Sequence, residues 1–288
     1  MNQTLPQTVT LLSQAQRSSL INIVRRAAKA EIMPRFRNLS AGQISTKSAP
    51  DDLVTEADTA AEQMIARGIL ALFPNAMILG EEAASAHPEL RDDAAKAELA
   101  FIIDPVDGTW NFAHGLATFG VILSATRFGV PIFGLLYDPV MDDWITTDGE
   151  TDTVLRRPDG GVRSLSTSAG GALSELTGFI HFYLMGKDHQ AAMGAAMPDF
   201  NRTFMLRCSC HEYRLLAQGS ADFCLSGILN PWDHAAGVIT CERAGGYVRL
   251  LDGRPYDISI RQGYLLAAAN DQVWHTVAEH LSFLNEGD

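Results

Sequence analysis

FIIDPVDGTWNF occupies residues 101–112. Its apolar start predicts a buried strand that ends at Asp104. Pro105 fixes φ and stiffens the connection that follows. Asp104 and Asp107 can then point into one small volume. Gly108 permits a tight bend or the close approach of a ligand to the backbone. The amides of Gly108 and Thr109 can open a short helix, whose free N–H groups and positive dipole end favour a phosphate. Two acids beside an anion site conflict unless divalent cations lie between them. Carboxylate oxygens suit Mg²⁺, which binds substrate phosphate directly. Two such ions about 4 Å apart can clamp an in-line phosphoryl displacement. The motif alone leaves a second reading open, in which the acids cap helix ends and Gly108-Thr109 are turn residues.

Two other readings fail on spacing. A calcium loop starting at Asp104 needs oxygen ligands at its third and fifth positions and Glu at its twelfth; those places hold Val106, Gly108 and Gly115. A phospho-aspartate site of the haloacid-dehalogenase type resembles DxDGT and needs an acid where this chain has Pro105.

Other acids stand in suggestive settings. Glu81 and Glu82 follow the short apolar run of NAMILG. KSAPDDLVTEAD supplies Lys47, Asp52 and Asp58, with Thr55 between. Asp233 sits behind the bulky Trp232 at an expected helix start. Taken singly, each is an ordinary surface or capping acid.

The rest of the composition narrows the class. The chain has 288 residues, 47% hydrophobic and 19% charged, and carries a net charge of −12. That is globular, and it suits one large domain or two fused halves. The acidic balance and the lack of a Lys/Arg-rich run argue against nucleic-acid binding. No apolar stretch approaches the roughly 20 residues that span a bilayer. MNQTLPQTVTLLSQ has no basic region and no long apolar core, so a signal peptide is not expected and the cytoplasm is. Cys208, Cys210, Cys224 and Cys241 lack zinc spacing and are expected as buried, reduced thiols. The eight histidines form no HExxH or HxH pattern, so histidine-based metal binding is not expected.

Periodicity predicts a first helix with apolar residues at Leu20, Ile23, Val24, Ala27, Ala28 and Ile32 and with Pro34 near its stop. A second helix fits 56–73, with Ala60, Ala61, Met64, Ile65, Ile69 and Leu72 buried. Residues 81–99 read as a loop or frayed helix. Strands fit 120–128, 131–137 and 143–147, with Gly129 turning between the first two. Further on come a helix, a Gly turn and a strand over HEYRLLAQGSADFCLSG, then a helix over WDHAAGVITCERAGG. Strands are expected on both sides of the Asp252-Gly253 turn, with a last strand in GYLLAAAN and a last helix after it.

KSAPDDLVTEAD (47–58), GEE (80–82), DPVDGTWNF (104–112), AQGSAD (217–222) and PWDHAAG with a later AGG (231–246) together resemble the inositol monophosphatase family. The pieces keep the family's order and span nearly the whole chain. The resemblance implies an α/β, layered αβαβα sugar-phosphatase fold. It further implies an α+β N-terminal half (1–155) and an α/β C-terminal half (156–288), with the site between them. It implies a Mg²⁺-dependent, lithium-sensitive phosphatase, commonly a homodimer, with two or three Mg²⁺ per site. Glu81, Asp104 and the Val106 carbonyl would bind one metal, and Asp104, Asp107 and Asp233 a second. Thr109 and Asp58 would orient and deprotonate a metal-bound water that attacks phosphorus directly. Gly108 and Thr109 amides would hold the phosphate. Lys47 would support the charge and Glu82 would orient the site.

One departure bears on the substrate. Inositol-hydrolysing relatives carry an acid seven residues before the Asp of the Trp-Asp motif; here that position is Ser226. A serine bonds a hydroxyl without the charge of a carboxylate. RCSCHEYR (207–214) is also unusual, and Arg207, His211 or Glu212 are candidates for substrate contact. Inositol phosphate leads the expected substrates. Histidinol phosphate, a fructose-1,6-bisphosphate-type sugar bisphosphate and a nucleotide 3′-phosphate are alternatives. A rival class is a regulatory binding protein that keeps the phosphatase fold, although clustered carboxylates are costly to hold without metal.

Overall fold

A computed structural model describes residues 12–47, 53–149 and 151–285. Helix α1 (Gln14–Ala27) starts at a capping box between Ser13 and Gln16 and runs into a π-helical turn over Ala28–Ile32. The short antiparallel pair β1 (Ile44–Thr46) and β2 (Leu53–Thr55) leads into α2 (Glu56–Leu72). Then come β3 (Met77–Gly80), α3 (Glu81–Ala86), α4 (Leu90–Lys96), β4 (Ala100–Asp107) and α5 (Thr109–Ala113). The strands β5 (Gly120–Arg127), β6 (Val130–Asp138), β7 (Asp143–Asp148), β8 (Val154–Arg156) and β9 (Val162–Ser164) follow as a meander. The remainder holds β10 (Thr177–Ile180), α6 (Lys187–Ala196), β11 (Arg202–Phe204), α7 (Ser209–Ala217) and β12 (Phe223–Ser226). It ends with α8 (Pro231–Arg243), β13 (Tyr247–Leu250), β14 (Leu265–Ala268) and α9 (Asp271–His280).

The strands from β3 to β9 form one sheet in sequence order, with β3 parallel to β4 and the others antiparallel. A second sheet has the order β11-β10-β12-β14-β13, with β10 parallel to both neighbours.

Successive strand side chains face opposite sides, and this alternation builds the layers. From the first sheet, Phe101, Ile103, Leu123 and Leu135 pack with Leu20, Val24, Ile65 and Ile69 of α1 and α2. The intervening Ile102, Ile122 and Leu136 face Tyr213, Leu216, Ala235 and Val238 of α7 and α8. The second sheet sends Cys224, Val248 and Ala267 into that same layer. It sends Phe223, Leu225 and Leu266 toward Met193 of α6 and Trp274 and Val277 of α9. The order is therefore αβαβα, as expected.

The central helices lie close because glycines make room. A Cβ on Gly237 of α8 would stand 2.2 Å from the Tyr213 ring, and one on Gly134 of β6 would stand 2.8 Å from the Ala236 carbonyl. Among the described residues no helix is long and apolar enough to cross a membrane.

Three local expectations need correction. Strand β4 does not end at Asp104 but runs through Pro105 to Asp107, with its register against β5 shifting between the two acids. Proline donates no ladder hydrogen bond and is tolerated at such a bulge. The buried face of α2 holds Ala57, Asp58 and Glu62 beside Ala61, Ile65 and Ile69, while Ala60, Met64 and Leu72 are half-buried. The helix is rotated so that its two acids turn inward. Finally, no strand follows the Asp252-Gly253 turn directly; β13 pairs with β14 instead. Pro255 lies just past that turn and offers no N–H for a ladder.

Candidate active site

In a regular strand, residues three apart face opposite sides. The bulge at Pro105 adds one residue, so Asp104 and Asp107 face the same way. Pro231 opens α8, and its third residue, Asp233, meets both. One carboxylate oxygen from each of the three lies within 4.8 Å of the others. Glu81, the first residue of α3, lines the same cavity of about 360 Å³ with Asp107, Asp233, Gly108 and Thr109.

Asp58 lies in the first turn of α2 and is fully buried. Its Oδ2 accepts from the Thr55 amide at 2.9 Å and the Thr55 hydroxyl at 2.5 Å. Its Oδ1 accepts from the Thr109 hydroxyl at 3.1 Å. That hydroxyl is also 3.0 Å from the Val106 carbonyl. Its one proton serves either acceptor. Gly108 caps α5 at φ 87°, a left-handed conformation. The Lys47 ammonium donates to Glu81 at 2.9 Å and to Glu82 at 2.7 Å. Asp52 lies outside the described residues.

Burial governs the electrostatics. It pushes Asp104 and Asp233 well above the usual carboxylate range, aided by Glu81 on Asp104 and by Asp107 on Asp233. Burial lifts Asp58 and Asp107 to about 7 and Glu82 to about 8. Burial opposes the charge on Lys47, but Glu81 and Glu82 outweigh it and raise that group. An all-oxygen donor set that resists ionising by itself suits a hard divalent cation. The residues present fit such an ion.

Several partners were not legible beforehand. Glu62 accepts from the Glu82 amide at 2.8 Å and the Ala83 amide at 3.0 Å, and so anchors the start of α3. Asp58 and Glu62 lie one helical turn apart among apolar residues, a spacing that marks both as inward-facing. Asp107 also receives the α7 start: the Cys210 amide donates to it, as do the Ser209 amide at 3.2 Å and the Cys208 thiol at 3.2 Å. All four cysteines are free and buried.

RCSCHEYR divides. Arg207 lines the cavity, its guanidinium 4.6 Å from the centroid of Trp110. His211 instead bonds the Phe119 carbonyl at 3.0 Å. Glu212 is fully buried; it accepts from the Leu206 amide at 2.8 Å and lies 2.5 Å from His181 Nε2. Ser226 lines the cavity at the end of β12, with its Oγ 3.2 Å from His181 Nδ1. His181 follows β10 and carries no local sequence signal. His181, Glu212 and Cys224 bring one ligand atom each within 4.8 Å of one another, a second cluster that histidine spacing did not announce.

The chain is similar to known proteins over most of its length. It is 28% identical to the inositol-1-monophosphatase of Mesorhizobium japonicum over 82% of this chain and 87% of that one. It is 30% identical to the histidinol-phosphatase of Streptomyces coelicolor, with the same shares covered. Inositol monophosphatase-II from Staphylococcus aureus shares the fold, with a TM-score of 0.78 at 22% identity over 95% of this chain and 97% of that one. The model of the inositol monophosphatase family matches residues 14–286. With the match running from the start of α1 to beyond α9, the chain belongs to the inositol monophosphatase family of phosphatases.

Proposed function

We propose that the protein is a Mg²⁺-dependent phosphomonoesterase that hydrolyses a small polyol- or sugar-type phosphate by direct attack of water, as an inositol-1-monophosphatase does. The observation that carries this reading is the Thr109 hydroxyl, bonded to buried Asp58 and lining the same cavity as Asp107, Asp233 and Glu81. Mg²⁺ held by Glu81, Asp104, the Val106 carbonyl, Asp107 and Asp233 would supply Lewis-acid stabilisation of the phosphoryl oxygens and a more acidic water.

The remaining steps fall to the chain itself. The amides of Gly108 and Thr109 open α5 and hold phosphate oxygens. Thr109 Oγ1 orients the attacking water. It takes a proton from that water while passing its own to Asp58 Oδ1. Asp58, lifted to about 7 by burial, is suited to accept at neutral pH. Thr55 keeps its other oxygen fixed. Lys47 offsets the charge of Glu81 and Glu82, and Glu82 with Glu62 orients the start of α3.

The same reading includes inhibition by Li⁺, a cytoplasmic homodimer, and a site shared by the halves 1–155 and 156–288. Relatives are named for inositol phosphate, fructose-1,6-bisphosphate and histidinol phosphate, so the reaction class is better supported than any one substrate. The test is phosphate release from a panel of small phosphomonoesters, with Mg²⁺ and with chelator, beside Asp104→Asn. Metal-dependent turnover lost in the variant is expected. Turnover that survives both chelator and Asp104→Asn would overturn the reading.

A further inference from the structure

Ser226 and His181 line the cavity, and the buried Glu212 stands behind His181. Their heavy atoms decide where the protons lie. Glu212 accepts only, and its Oε2 is 2.5 Å from His181 Nε2, so that nitrogen carries a proton. Ser226 Oγ lies 3.1 Å from the Ile228 carbonyl, which also accepts only, so the serine hydroxyl donates there. His181 Nδ1, 3.2 Å from the same Oγ, then donates to it, in the charged form that Glu212 favours against burial. The ring is held as an imidazolium between a pinned, fully buried carboxylate and a hydroxyl at the cavity surface.

This inverts the hydrogen-bonding sense of the position. A carboxylate at residue 226 accepts from substrate hydroxyls. A serine backed by a cationic ring donates, and its proton can be turned from the Ile228 carbonyl to a ligand. The carbonyl is not orphaned by that turn, because His234 Nε2 lies 2.7 Å from it. Arg207 adds a second cation to the same cavity.

We infer that Ser226, with His181 and Glu212 as positioning residues behind it, selects a phosphomonoester whose alcohol part carries a second anionic group, a carboxylate or a phosphoryl, over one bearing hydroxyls alone. This rests on the phosphomonoesterase reading above.

The test compares kcat/KM at saturating Mg²⁺ for glycerol 2-phosphate, 2-phosphoglycerate and propane-1,3-diol bisphosphate. The hydroxyl arm is the reference, and the other two separate carboxylate from phosphoryl. At least one anionic arm should exceed the reference by roughly tenfold or more, the worth of a charge-assisted hydrogen bond. Ser226→Ala should pull that ratio toward unity, mainly through KM. His181→Gln should do the same, with circular dichroism checking its fold because it leaves the buried Glu212 without its cationic partner. Ser226→Glu should reverse the preference. Mg²⁺-dependent turnover of glycerol 2-phosphate equal to or above both anionic arms, or a preference that Ser226→Ala leaves unchanged, would overturn the selection but not the phosphatase reading. No Mg²⁺-dependent turnover of any arm would overturn both.

Discussion

Gly80→Ala should damage the site without touching a catalytic side chain. Gly80 has φ −96°, so alanine fits its backbone. The obstacle is Glu62: a Cβ on Gly80 would stand 2.2 Å from its carboxyl carbon and 2.3 Å from Oε2. Glu62 cannot swing aside freely, because its two oxygens hold the Glu82 and Ala83 amides. Displacing it forfeits two hydrogen bonds to a charged acceptor, each worth about 1.5–3 kcal/mol. The glycine-to-alanine change returns roughly 0.4–1 kcal/mol by stiffening the unfolded chain. The net loss is about 2–5 kcal/mol. Urea denaturation of the metal-free protein reads it directly. The start of α3 also positions Glu81, so the Mg²⁺ concentration for half-maximal phosphate release should rise roughly 10–100-fold, as when a ligand's supporting partner is lost. The decisive control is the same change in a Glu62→Ala background. With the carboxylate gone, Gly80→Ala should cost nothing, giving a coupling of about 2 kcal/mol or more. An equal cost in both backgrounds would refute the steric argument.

Asp104→Asn should lower turnover roughly a hundredfold or more while leaving the melting temperature of the metal-free protein nearly unchanged, because burial and Glu81 already hold that carboxyl toward its neutral form, which Asn matches in shape; a large fall in melting temperature would sink that account. The metal-free protein should lose stability as pH rises. Asp58 and Asp107 titrate near 7 and Glu82 near 8 in the fold, against about 4 unfolded, so the fold binds more protons than the open chain. Their stabilising effect is complete at acid pH and lost through pH 7–8. Melting scans from pH 5.5 to 8.5 should show the fall and saturating Mg²⁺ should flatten it; a rise without metal contradicts the assignment. Asp142 works with the opposite sign. The Arg25 hydrogen bonds at 2.8 Å lower its pKa, with help from Lys29 and Tyr137. Asp142→Asn should cost about 1 kcal/mol at neutral pH. That deficit should shrink once the pH falls below the ordinary carboxylate range, and a pH-independent deficit in urea melts would count against it.

The reading from sequence reached what depends on short stretches of chain. Periodicity placed α1, most of α2, and the run of β5, β6 and β7. Contiguous pieces of motif marked Glu81, Asp104, Asp107, Asp58 and Asp233, because a strand end or a helix start displays its side chains through local geometry alone. The family followed from the order of those pieces. Tertiary structure decided the rest. A bulge at Pro105, visible only against β5, turns Asp104 and Asp107 to one side. The packing of α8 on β6, tight enough to need Gly134, brings Asp233 to them. The rotation of α2 turns Glu62 onto the start of α3. His181, Glu212 and Ser226 come from β10, α7 and β12, and no period or spacing links them. A buried charge is tolerated only beside its partner, and that partner is chosen by which elements pack together, not by its distance along the chain.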